Sequence, residues 1–177
     1  MKILMLIDAL NVGGAETHVQ TLAKHLNKMG CEVIVASSGG QISQNLKSEG
    51  VRHILLPTFN LKASASFKEK HAPMVSIGIA REVLKRIIIT HHPDVVHAHT
   101  RKTAFLAMGI CKQESIPLIT TAHAMFNMRG LKNPLSFWGD GTIVISEDIK
   151  QHIEKASIFK PKFSKIIRNG VEIPPKN

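Results

Sequence analysis

The chain has no tyrosine, one tryptophan and seven phenylalanines, so aromatic residues make up only 5% of its 177 positions. Proteins that hold single-stranded nucleic acid stack bases on aromatic side chains, and this sequence has little to build such a platform with. Cysteine is as scarce: Cys31 and Cys111 stand far apart in unrelated surroundings, which excludes a disulfide-built fold and suits a reducing compartment. No apolar run approaches the roughly 20 residues that a membrane-spanning helix needs. The stretch Ile3 to Ile7 behind Met1-Lys2 is interrupted by Asp8 and Asn11, with no small-residue cleavage site following at the right distance, so it is not read as a signal peptide. Acidic residues are the last shortage, 13 against 23 Lys and Arg, for a net charge of +10. Such a surplus invites nucleic acid or an anionic membrane surface. Yet residues 1–88 and 89–177 each carry +5, and an even spread argues against a basic tail or a single docking module.

What is present is an ordinary core composition, 44% apolar, in a chain long enough to bury roughly 70% of its extended surface. The pattern alternates strands and helices. Ile3 to Ile7 is a continuous apolar run, as expected of a strand buried on both faces of a parallel sheet. Gly13-Gly14 ends the following turn, and Ala15, Val19, Leu22, Ala23, Leu26 and Met29 repeat at helical spacing up to Gly30. Val33 to Ala36 reads as a strand, Ile42 to Ser48 as a short helix, and Arg52 to Leu56 as a third strand closed by Pro57. Residues 58–72 show no period and read as a loop. A helix from Met74 to Thr90, a strand from Asp94 to His99, a Thr100-capped helix to Gln113 and a strand from Pro117 to Thr121 follow. A loop with Gly130 and Pro134 leads to Thr142–Ile145. Ser146, Glu147 and Asp148 then open a helix with an N-cap and two carboxylates facing its dipole. Ser164 to Ile167 is the last strand, before Asn169-Gly170. The fold class is therefore α/β, a Rossmann-like, doubly wound, mainly parallel sheet of about seven strands with helices on both faces.

In such sheets ligands bind outside the carboxyl ends of the strands. Those ends deliver Asp8 to Gly14, His97 to Lys102, Thr121 to Arg129, and Ser146-Glu147. Gly13 and Gly14, with Glu16 just beyond, lie where the first strand turns into the first helix, and favour a phosphate or diphosphate at the helix N-terminus. Without G-x-G-x-x-G spacing, a plain tight turn explains the glycines equally well. His97 and His99 lie two apart and face one side of the sheet; His97 is expected to be a satisfied core histidine and His99 to reach the rim. His123 follows the neighbouring strand and is expected at the cleft. A metal on His97, His99 and His123 is not expected, because strand geometry does not bring all three together and no carboxylate is suitably placed. Arg101 and Lys102 oppose the dipole of the helix they open, which hints at a bound anion, with a solvated pair as the ordinary alternative. Asp8 suits the hydroxyls of a sugar or polyol. Lys155 to Arg168 holds five basic residues and no acid, a solvated face or a contact for lipid headgroups.

Together these segments resemble the N-terminal domain of the retaining GT-B glycosyltransferases of family 4, also called group 1. The resemblance rests on Gly13-Gly14-Ala15-Glu16, Asp94 to Lys102, Thr121-Ala122-His123, Ile143 to Glu147, and Arg168 to Val171, all in the family's order along nearly the whole chain. It implies transfer of a sugar from a nucleotide donor, with retention, no required metal and no cofactor beyond the nucleotide-sugar co-substrate. The glycine turn would lie beside the donor diphosphate and the acceptor, and His123 would contact and orient the donor sugar. Asp8, His99, Arg101 and Lys102 are the acceptor-side candidates, and a basic pair suits a phosphorylated or lipid-linked acceptor of cell-envelope or polysaccharide synthesis.

The resemblance assigns residues 1–170 to this acceptor-binding domain and 171–177 to the start of a linker. The family's second domain supplies the nucleotide-base pocket and a pair of glutamates with seven residues between them; Glu147 and Glu154 have six between them and lie in the wrong domain. The sequence thus reads as a domain or truncated product, inactive without its donor-binding partner domain. Its expected place is the cytoplasm, with the inner face of a membrane as a peripheral contact. The alternative is a non-catalytic Rossmann-like module for an anionic ligand or acidic headgroups. A nicotinamide oxidoreductase fits poorly, since Ser37-Ser38-Gly39-Gly40 offers no acid for a ribose.

Overall fold

The computed structural model describes residues 1–58, 75–126, 137–157 and 160–170. Seven parallel strands form one sheet in the order β3-β2-β1-β4-β5-β6-β7. They are β1 (Lys2–Leu6), β2 (Glu32–Ser37), β3 (Arg52–Leu55), β4 (Val95–Ala98), β5 (Leu118–Ala122), β6 (Gly141–Val144) and β7 (Ser164–Ile166). The helices are α1 (Gly14–Lys28), α2 (Ser43–Ser48), α3 (Ile77–His91), α4 (Arg101–Gln113) and α5 (Glu147–Ala156).

Alternation along the central strands divides the core. Leu4, Leu6, Ile34, Ala36, Val96 and Ala98 pack with Leu84 and Ile88 of α3 and Leu106 and Ile110 of α4. Ile3, Met5, Ile7, Val33 and Val35 pack with Val19 and Ala23 of α1 and Leu46 of α2. The expected double winding is thus present, each side burying an apolar helix stripe at about 1.5–3 kcal/mol per large side chain. A third cluster joins Ala122, Val144 and Trp138 to Ile149 and Ile153 of α5.

Capping sets the helix starts. Thr100 accepts a hydrogen bond from Thr103 N at 3.2 Å and Ser146 from Ile149 N at 3.3 Å, both as expected. The third helix departs from expectation: it begins at Ile77 instead of near Met74, because Ser76 is its N-cap, accepting from Ile79 N. It runs past Thr90 to His91, and His92 closes it in the left-handed region at φ 45° before Pro93. Most of the 58–72 loop, Gly130, Pro134 and the linker 171–177 lie outside the described residues. Among the described residues no helix is long and apolar enough to cross a membrane.

One contact positions the turn that matters most. Leu10 donates to Gly39 O and accepts from Ile42 N, each at 2.8 Å, tying the loop after β1 to the loop after β2. Gly40 sits at φ +139°, where a Cβ would meet the Leu10 carbonyl carbon and oxygen at 2.5 Å. Only glycine allows the two loops to approach so closely.

Candidate active site

β1 and β4 are neighbours in space but not in sequence, and the helices that follow them, α1 and α4, pack on opposite faces, the position at which a doubly wound sheet has its ligand crevice. α1 starts at this crevice. Its N-cap, Gly13, has no side chain to offer the first-turn N–H groups, and a Cβ on Gly14 would meet nothing within 4 Å. The helix therefore presents bare backbone donors and its positive dipole end to open space. Glu16 folds back over Gly13, its carboxylate taking the room a Cβ would occupy.

Asp8, just past β1, meets the start of α4. Its carboxylate accepts from Thr100 Oγ1 at 3.2 Å and pairs with Lys102 Nζ at 3.7 Å. The Arg101 guanidinium lies over the Phe126 ring, 5.5 Å from its centre. The cations that oppose the α4 dipole are thus met within the protein, by a carboxylate and a ring face. These internal partners account for Arg101 and Lys102 without the bound anion that their placement hints at.

The registers β1–β4 and β4–β5 carry the histidines. His97 pairs with Ile119 along the sheet, so His97, His99, Thr121 and His123 share a side, the one α1 covers. His97 is the satisfied core histidine expected, its Nε2 2.7 Å from Thr121 Oγ1. His99 is not at the rim: it is 2% exposed, packed against His97 with ring centres 4.1 Å apart. Direct contact with an acceptor is therefore corrected for His99. It lies beneath His123, with His99 Nδ1 and His123 Nε2 3.2 Å apart.

His123, half-buried, is the strand-end member that reaches toward the crevice. A fourth ring, His18 from α1, completes the cluster at 5.0 Å from His123 and 5.9 Å from His99, centre to centre. The sequence reading gives His18 no role. The available signal was helical phase, since His18 adjoins Val19 at the edge of the buried stripe and one turn from Gly14.

Burial keeps these rings neutral. Desolvation, then repulsion from His18 and His123, pulls His97 down to about 3. His99 is driven well below the ordinary histidine value, first by burial and then by its three neighbours. His123 falls to about 4 by burial and the nearby His18, and His18 is itself lowered by burial. Neutral imidazole both donates and accepts. His123 Nδ1 and His99 Nε2 are buried with no hydrogen-bond partner, polar capacity that a folded protein rarely leaves unused.

Cys111 is inert, its thiol pushed up to about 12, chiefly by burial.

Residues 12–173 match the model of Glycosyltransferase Family 4. The chain belongs to that family. A search of curated proteins finds no match. Among solved structures, the chain is similar to a glycosyltransferase from Rickettsia africae ESF-5, at 22% identity and TM-score 0.70, over 96% of this chain and 43% of that one. It is similar to Anabaena HepE in complex with UDP-glucose, at 19% identity and TM-score 0.72, over 97% and 44%. It is also similar to Acinetobacter baumannii MurG, at 15% identity and TM-score 0.65, over 97% and 47%. This family 4 chain has the Rossmann-like fold of the N-terminal half of GT-B glycosyltransferases, and spans a little under half the length of these structures.

Proposed function

We propose that this chain is the N-terminal, acceptor-side domain of a nucleotide-sugar-dependent glycosyltransferase, retaining and metal-independent, and inactive without a donor-binding domain. The observation that carries this reading is the grouping at one crevice of an uncapped glycine-started helix, an Asp8–Lys102 pair and a neutral His123. Each suits a step of sugar transfer. The first-turn N–H groups of α1 stabilise the diphosphate as it leaves and gains charge. His123 offers a hydrogen bond to a sugar hydroxyl without adding a charge. Asp8 and Lys102 present an acceptor and a donor to a polar substrate. The phosphorylated or lipid-linked nature of the acceptor, a cell-envelope role and contact with the inner face of a membrane belong to the same reading, supported by the basic surface. Val12 and Met125, 79% and 58% exposed beside the strand ends, suit an apolar wall supplied by a second domain.

The test is transfer from a radiolabelled nucleotide sugar by the 177-residue chain alone and by a polypeptide carrying both domains. Activity is expected only with both, and with no rate inflection near pH 6.5, since His123 stays neutral to about 4. Enzyme-like turnover by the isolated chain would overturn the proposal.

A further inference from the structure

His18, His99 and His123 each offer one ring nitrogen, and the three nitrogens lie within 4.8 Å of one another. We infer that these residues form a binding site for a borderline-soft divalent ion such as Zn²⁺ or Ni²⁺. Metal–imidazole bonds of about 2.0–2.1 Å put the nitrogens around a tetrahedral ion roughly 3.4 Å apart. His99 Nδ1 and His123 Nε2 stand 3.2 Å apart, already at that spacing, held by two adjacent strand ends. His18 is half-buried on the first turns of α1, and a rotation of its side chain closes the remaining gap.

The proton count balances. Without metal, one proton occupies the space between His99 Nδ1 and His123 Nε2. On binding, both of these nitrogens use their lone pairs, and the proton moves to the far nitrogen of its own ring. Those far atoms, His99 Nε2 and His123 Nδ1, have no other partner, so nothing is displaced and no net proton is released. The same lack of outer partners leaves the ligands unsupported by acceptors, which in metal sites costs about 10–100-fold in affinity. The site is therefore one of reversible binding. Its all-imidazole donor set selects Zn²⁺, Ni²⁺ and Cu²⁺ over Mg²⁺, Ca²⁺ and Mn²⁺, which prefer oxygen. Occupation takes the His123 nitrogen away from other contacts, so the ion and a donor sugar compete. This last consequence rests on the role proposed for His123 above.

Calorimetric titration of the chain with Zn²⁺, and visible absorption on adding Co²⁺, test the site directly and without substrate. One Zn²⁺ per chain and intense low-coordinate Co²⁺ bands are expected, while Mg²⁺ gives no heat. His18→Gln and His123→Gln, the two members that are not fully buried, should each weaken binding at least tenfold and abolish the Co²⁺ bands. His53→Gln, on β3 and bonded to Ser37, should keep both signals. Absence of a one-to-one site, or binding that survives both cluster variants, overturns the proposal. If the metal binds as expected but leaves transfer by a two-domain enzyme unaffected, the site stands and the role given to His123 falls.

Discussion

The amino ends of β5 and β6 and the carboxyl ends of β4 and β5 are built to opposite rules. At the amino ends of β5 and β6 the polar groups find one another. Trp138 Nε1 donates to Ser157 Oγ at 2.9 Å, Thr120 and Thr142 both donate to Trp138 O at 3.0 Å, and Asp140 accepts from Leu118 N at 3.0 Å and Lys162 Nζ at 2.6 Å. Lys162 is the main reason the Asp140 carboxyl is held below its ordinary value. At the carboxyl ends of β4 and β5, four histidines crowd together, each with its proton affinity lowered chiefly by burial. Two of their nitrogens have no partner, and the adjoining helix starts without a cap side chain. A paired polar end stabilises, whereas an unpaired one leaves hydrogen-bonding capacity unused at a cost in stability.

The sharpest way to break this contrast is to damage the amino end and look for lost activity. Trp138 is 4% exposed, and Trp138→Ala should lower unfolding free energy by about 3–5 kcal/mol, measured by urea denaturation. Transfer per folded molecule in a two-domain polypeptide should remain unchanged. A lower rate in the folded fraction would mean that the two ends are coupled.

Acid should act on the other end. Unfolded histidines take a proton near 6.5, whereas His97 and His99 resist it far lower when folded. Folding thus excludes protons that the unfolded chain binds. Stability is full above about pH 6.5 and declines as pH falls, by about 1.4 kcal/mol per pH unit for each such group. Between about pH 7 and pH 5 the urea midpoint should fall by the equivalent of about 2–4 kcal/mol. A midpoint that does not move would show that the rings protonate without opposing the fold.

His123→Ala reverses the amino-end experiment. In a two-domain polypeptide it should reduce kcat/KM about 100-fold, equivalent to about 2.7 kcal/mol of transition-state stabilisation. Its thermal midpoint should stay close to the parent's, because this ring, like His18, is only half-buried. An unchanged rate would return His123 to a packing role.

Much of the satisfied architecture could be read in the sequence because it is local. Strand alternation with intervening helices, and the caps Thr100 and Ser146, depend on residues within one turn of each other. The partnership of His99 with His123 was also readable, since both follow strands expected to be neighbours. What could not be read is what covers a strand end. Alternation places His99 on a face, but only the packing of α1 over that face decides whether it is rim or core, and that packing puts His18 above it. The pairing of Lys102 with Asp8 likewise depends on β4 adding beside β1, a sheet-order fact that no local spacing carries. The start of α3 was misjudged for a simpler reason: Ser76 offered a better cap than the apolar period suggested.

The smallest expected effect is also the most discriminating, because one residue should move stability and function in opposite directions. Gly14 opens α1, and a Cβ there meets nothing within 4 Å, so Gly14→Ala introduces no clash. Replacing glycine by alanine in a helix restricts the unfolded chain and should stabilise the fold by up to about 1 kcal/mol. The added methyl nonetheless stands in the open space facing the first-turn N–H groups. If a diphosphate closes on that backbone, KM for the nucleotide sugar should rise about tenfold, near 1.4 kcal/mol, with the thermal midpoint slightly higher. A more stable variant with unchanged KM would mean that the glycine turn is only a turn, and that the donor approaches the crevice from elsewhere.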